Sequence, residues 1–266
     1  MSQYAKEGAN AEKNFVIEMN NDKNDPRWRE LGIEDAKNYF AIRVTTQKMS
    51  KIHGKQVFCK SDVFIAKSEK KFDSSYLTEE DLKQNGLEPV NASGISIKKD
   101  NAKNIQWVKM TINTVKKLFR DAAIGAGISL YERKGTNDNS LDESMKKNIT
   151  IVEKWCGSIK AFESFYDDIS DISKLFDSSE SDEIRQEIAK KVGKFATNKM
   201  KNEIDTNEEL QRKIFWGIGV FADPFCATWV FEDGKLKKTK SYVPKYSITT
   251  GSNRTKNFTI SIKGSK

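Results

Sequence analysis

Two short stretches, Val57–Ile65 and Gly94–Lys98, limit the possible folds more than anything else in the sequence. The first reads Val57-Phe58-Cys59-Lys60-Ser61-Asp62-Val63-Phe64-Ile65, an apolar run interrupted by one carboxylate. The second, Gly94-Ile95-Ser96-Ile97-Lys98, alternates. Side chains of a strand point to opposite faces in turn, so Ile95 and Ile97 share one face and Ser96 and Lys98 the other. Both stretches predict strands. The helical periodicities around them then predict an α/β fold, a mixed central sheet flanked by helices. Ser68–Ser93 between them is a polar excursion, long for a simple hairpin. It contains Thr78-Glu79-Glu80-Asp81, an N-cap followed by first-turn acids.

An acid and a lysine held on neighbouring strands suit phosphodiester hydrolysis. The carboxylate holds Mg²⁺, the metal polarises a phosphoryl oxygen and acidifies a water, and the lysine positions or deprotonates that water. Here the sequence resembles the PD-(D/E)XK nucleases, the superfamily of most type II restriction endonucleases. Asp62 matches the first acid and Lys98 the lysine; Ser61 stands in place of the proline and Ser96 in place of the second acid. The resemblance extends to Gly8–Val16, an amphipathic helix start with Ala11, Phe15 and Met19 in register, where Glu12 matches the glutamate of a Gly-x-x-x-Glu opening. It covers residues 8 to 120 in the order helix, strand, strand, helix. It implies a restriction-endonuclease-like fold and a Mg²⁺-dependent endonuclease for double-stranded DNA. Asp62 and Glu12 would be the metal ligands and Lys98 the water-orienting group. Ser96 would be a weak neutral ligand, and a homodimer would suit a palindromic target. Plainer readings exist for each residue: Asp62 as a turn cap, Lys98 as a solvated edge lysine, Glu12 as a surface helix residue.

Composition narrows the alternatives. The 266 residues can bury a sizeable core, although 37% are hydrophobic and 32% charged. The 46 bases against 38 acids give +8, which favours a polyanionic partner. A single histidine (His53) and three scattered cysteines (Cys59, Cys156, Cys226) argue against a structural zinc site and a histidine-dependent nuclease. Free thiols, no apolar leader in Met1–Asn10, and no apolar run of about 18 residues predict a cytoplasmic protein without a membrane span.

In chain order, Trp28–Thr46 reads as partly helical, with Leu31, Ala36, Tyr39, Phe40 and Val44 as core. The loop with Lys48, Lys51, His53 and Lys55 is either solvated or a phosphate contact. After Lys98, the residues Lys99, Lys103, Asn104 and Gln106 are candidate backbone or base contacts, and Trp107 reads as core. A helix is expected over Thr111–Ala123. Ser140–Lys213 carries helical stripes, such as Leu141, Met145, Ile149 and Val152, and its acid clusters read as exposed helix residues and caps. Phe215–Phe221, Ala227–Phe231 and Asn257–Ile262 read as strands, with Asp233-Gly234 as a hairpin turn. Gly234–Lys266 holds nine bases and no acid, including Lys235, Lys237, Lys238, Arg254 and Lys256. That composition favours a DNA-binding surface over mere edge protection, with Arg254 as the candidate guanine contact. The expected organisation is a catalytic core (1–135), a helical subdomain (136–213) and basic C-terminal strands (214–266) in one compact unit. The rival functions are a non-catalytic nucleic-acid-binding protein and a structure-specific repair or recombination nuclease.

Overall fold

A computed structural model describes residues 3–45, 59–98, 106–131, 141–242, 244–250 and 258–264. The first half of the chain runs α1 (Gln3–Asn21), α2 (Pro26–Glu30), β1 (Tyr39–Arg43), β2 (Val63–Lys67), α3 (Glu79–Asn85), β3 (Glu88–Pro89), β4 (Ile95–Ile97) and β5 (Gln106–Thr111). Helices α4 (Ile112–Phe119), α5 (Ala123–Tyr131), α6 (Leu141–Cys156), α7 (Ile159–Phe165) and α8 (Asp182–Thr206) follow. Strands β6 (Trp229–Glu232), β7 (Lys235–Lys238), β8 (Tyr246–Thr250) and β9 (Thr259–Gly264) complete the order. Two compact units result: residues 1–102 with 211–244, and residues 103–210 with 245–266.

The first unit is mixed α/β. Its six-stranded sheet has the order β1-β2-β4-β6-β7, with β3 paired to β2. All its strand pairs are antiparallel except β4 with β6. On one face Ala41, Val63, Ile65 and Ile95 meet Phe15, Val16 and Met19 of α1. On the other, Phe40, Ile42, Phe64 and Ala66 meet Leu77, Leu82, Leu87 and Phe225. β2 is buried at Val63, Phe64, Ile65 and Ala66 alike, which explains its unbroken apolar run.

The stretch Trp28–Thr46, expected to be partly helical, ends α2 at Glu30 and then holds β1. Its Tyr-Phe-Ala-Ile core is covered on both faces, so the sequence shows no period-two alternation. Phe215–Phe221, expected to be a strand, forms a π-helical turn over Arg212–Trp216. Gly217 (φ 68°) and Gly219 (φ 78°) then turn the chain in the left-handed region, where extended pairing cannot continue. The hairpin expected at Asp233-Gly234 is present between β6 and β7. Both turn residues have positive φ (51° and 72°), as a type I′ turn requires. α3 starts as its sequence suggests, with the Thr78 N–H donating to the Asp81 carboxylate at 2.8 Å.

In the second unit α4–α8 accompany an antiparallel sheet ordered β5-β9-β8. α5 lies at its centre because Gly125 leaves room for the Trp155 ring and Gly127 for the Tyr166 hydroxyl and Ala196. That hydroxyl donates to the Ala123 carbonyl at 2.8 Å. The basic C-terminal stretch is divided: Lys235, Lys237, Lys238 and Lys240 belong to the first unit, Lys245 and Lys263 to the second. The expected divisions at 135/136 and 213/214 therefore do not coincide with the units, because β6 and β7 complete the sheet of the N-terminal residues.

Candidate active site

The first unit brings the chemistry-bearing residues together at one end of its sheet. Asp62 immediately precedes β2, and its backbone extends the ladder on both sides. Its N–H donates to the Ile95 carbonyl at 2.8 Å, and its carbonyl accepts from the Val44 N–H at 2.9 Å. β2 and β4 are antiparallel neighbours in the register Val63↔Ile95, so Asp62 faces the Ser96–Lys98 end of β4. The Asp62 Oδ2 accepts from the Ile97 N–H at 2.7 Å and the Ser96 hydroxyl at 3.2 Å. Ser96 is 3% exposed. Its hydroxyl orients the Asp62 carboxylate.

Lys98 is half-buried, and its N–H donates to the Phe231 carbonyl at 2.8 Å on the parallel neighbour β6. Burial pushes its ammonium pKa down, opposed first by Asp62, then by Glu232 and Glu12. Burial pushes the Asp62 carboxyl up, opposed first by Lys98, then by the Ile97 and Ser96 hydrogen bonds and by Lys60.

Glu12 sits one turn before Val16 on the face of α1 that packs on the sheet. Its Oε2 accepts from Arg43 Nε at 3.0 Å and Nη2 at 2.8 Å. Arg43 Nη1 also donates to the Tyr76 hydroxyl at 3.0 Å. Burial, then the Asp62 charge, raise the Glu12 carboxyl above its ordinary value, while Arg43 and Lys98 pull it down. Glu12 is thus electrostatically part of the Asp62–Lys98 cluster.

Four participants were not singled out from the sequence: Arg43, Tyr76, Lys60 and Glu232. Arg43 became visible only with β1, whose alternation places it on the α1 face with Tyr39 and Ala41. Glu232 follows Phe231 on β6 and accepts from the Tyr242 hydroxyl at 3.0 Å and Lys237 Nζ at 3.3 Å. Among the described residues no three His, Cys, Asp or Glu side chains are grouped to form a ready metal cage.

The candidate DNA contacts fall partly outside the described residues and partly in each of the two units. Lys99, Lys103, Asn104, Arg254 and Lys256 lie outside the described residues, as do Lys48, Lys51, His53 and Lys55. Gln106 opens β5 in the second unit. Lys235, Lys237 and Lys238 lie on β7, the edge of the first sheet. Lys237 pairs with Glu232 and lies 5.6 Å from the Tyr242 ring centre; Lys238 lies 5.4 Å from that of Trp229.

Gly94 sets the spacing of the cluster. A Cβ there would collide with the backbone carbonyls of Cys226 and Pro224. Next to them, the Phe225 carbonyl accepts from the Lys60 and Ser61 N–H groups at 2.9 and 3.2 Å. We expect Gly94→Ala to cost about 1–3 kcal/mol of stability, as overpacking does, and to disturb Asp62 from a distance. Urea unfolding checks the first effect; unchanged stability would show that the backbone there yields freely.

The chain matches no protein-family model, and no curated protein matches it.

Proposed function

We propose that the chain is a Mg²⁺-dependent endonuclease for double-stranded DNA, and within that class a type II restriction enzyme of the PD-(D/E)XK kind. The observation that carries the reading is the meeting of Asp62, Lys98 and Glu12 at adjoining strand ends and the overlying helix. Mg²⁺ keeps several waters and takes one or two protein carboxylates, so Asp62 and Glu12 fit it without a third acid. Both Arg43 bonds fall on Glu12 Oε2, and Oε1 is the atom the cation would take. The bound ion would supply Lewis acidity toward the phosphate and a water of lowered pKa.

The protein's own groups do the rest. Ser96 and the Ile97 N–H hold the Asp62 carboxylate in one orientation. Lys98 Nζ orients the attacking water, which displaces the 3′ oxygen and leaves a 5′-phosphate. Arg43 and Tyr76 fix Glu12. No helix among the described residues is long and apolar enough to cross a membrane. A cytoplasmic location and a homodimer on a palindromic site belong to the same proposal. Incubation of plasmid DNA with the protein and Mg²⁺ tests it: discrete fragments indicate sequence specificity, and intact plasmid rejects the hydrolase.

The lysines of β7 give a further expected result. If they track phosphates, replacing Lys235, Lys237 and Lys238 with alanine lowers the slope of log affinity against log salt by about 0.9 per lost contact, on all DNA sequences. An unchanged slope returns these lysines to protecting the sheet edge.

A further inference from the structure

The sheet of the second unit turns one face toward α5, which packs against β8 and β9. Met110, Ile260 and Ile262 are fully buried on that face. Strand side chains alternate, so Lys109 of β5 and Lys263 of β9 stand on the opposite face. Lys245, directly before β8, has the parity of Ser247, which pairs with Lys263 on that same face. All three lysines are exposed. Lys109 pairs with Ser261, and Lys263 lies two residues beyond Ser261. Lys245 is displaced from Lys263 by the same step in the same direction. Each strand thus contributes one lysine to a diagonal stripe, whose neighbours are about 7–8 Å apart. Over 109–111, 259–263 and 247–249 every residue on that face is Lys, Ser or Thr, and none is an acid. Protection of sheet edges accounts for lysines on β5 and beside β8, which are the edges. It does not account for Lys263, because β9 is the central strand.

Resting on the duplex-DNA partner of the reading above, but not on its chemistry, we propose that this face docks the DNA backbone. Lys109, Lys263 and Lys245 each take a phosphate, and the hydroxyls of Ser247 and Thr249 donate to phosphate oxygens beside them. Charge complementarity selects the occupant: a stripe of one sign, without an acid among its neighbours, meets a polyanion. Lysine and hydroxyl groups contact phosphate oxygens without reading base edges, so the face contributes affinity and orientation and no sequence preference.

The experiment uses the full chain with Lys109→Gln, Lys245→Gln and Lys263→Gln, singly and combined, and the combined Lys→Arg variant at the same positions. Binding of two labelled duplexes of unrelated sequence is measured in Ca²⁺ across a salt series, with thermal melting to verify folding. Plasmid cleavage by the wild type is measured in Mg²⁺. The single substitutions keep the test available if the combined variant does not fold. The slope of log affinity against log salt is expected to fall by about 0.9 per lysine removed, equally on both duplexes, whereas the arginine variant keeps it. A wild-type slope in the folded glutamine variants, or a loss confined to one duplex, would overturn the docking face and leave the nuclease reading standing. A wild type that binds but never cleaves, with the slope still falling in the variants, would sink the hydrolase and keep the face. A wild type that neither cleaves nor binds would overturn both.

Discussion

On the proposed mechanism, Asp62→Asn is expected to abolish Mg²⁺-dependent cleavage, by on the order of 10³-fold or more, because several kcal/mol of transition-state stabilisation would depend on the ion this carboxylate would hold. The substitution retains an oxygen that accepts from the Ile97 N–H and the Ser96 hydroxyl, so the strand ends stay in place. The fold should persist, and removing a charge from a half-buried carboxyl should not lower the melting temperature. Duplex binding in Ca²⁺ is the control that separates lost chemistry from lost affinity. Ser96→Ala should be milder, since it deletes one hydroxyl that orients the carboxylate and no charge. Full cleavage by Asp62→Asn would remove this residue from the site.

The second large effect is at Glu12. Glu12→Gln is expected to raise the Mg²⁺ concentration needed for cleavage by about 10–100-fold, the range for disturbing a metal's ligand environment. Glu18→Gln, further along α1, should do little. Among the described residues Glu18 pairs with Arg27, at 3.0 Å, and it lies largely in solvent. Stability offers an independent readout. Burial raises both carboxyls, Glu12 further through the charge of Asp62. From the ordinary carboxylate range up to those raised values, the folded chain holds more protons than the unfolded chain. The pair's contribution to stability is therefore full at acid pH and is lost as pH rises through the raised values. Mg²⁺ should restore it at neutral pH, by about 2.7 kcal/mol at a hundredfold excess over its dissociation constant. Glu12→Gln should show a weaker pH dependence and little Mg²⁺ stabilisation. Wild-type behaviour of this variant in both assays would mean that α1 supplies no ligand.

The site was partly legible from the sequence because its strands write their burial into it. The apolar run at Val63–Ala66 and the alternation Ile95-Ser96-Ile97 predicted neighbouring strands, and the structure pairs them. The intervening excursion does not separate them, since α3 and β3 fold back over β2, and Val90 donates to the Ile65 carbonyl. β1 was hidden because burial on both faces erases alternation. With it were hidden Arg43 and the ion pair that occupies one oxygen of Glu12. Lys60 and Glu232 join the cluster only through tertiary pairing: Lys60 hangs from Phe225, and β6 lies parallel to β4. No local pattern encodes either contact. The basic C-terminal stretch supplies strands to both sheets, a division that charge composition does not encode.

The most direct measurement of the central claim is plasmid cleavage by the wild type and by Lys98→Met, with Mg²⁺ and with its removal by chelation. The account predicts cleavage by the wild type in Mg²⁺ alone, 5′-phosphate ends on the products, and no cleavage by Lys98→Met despite retained folding. Cleavage that persists in Lys98→Met, or that proceeds in chelator, would contradict it.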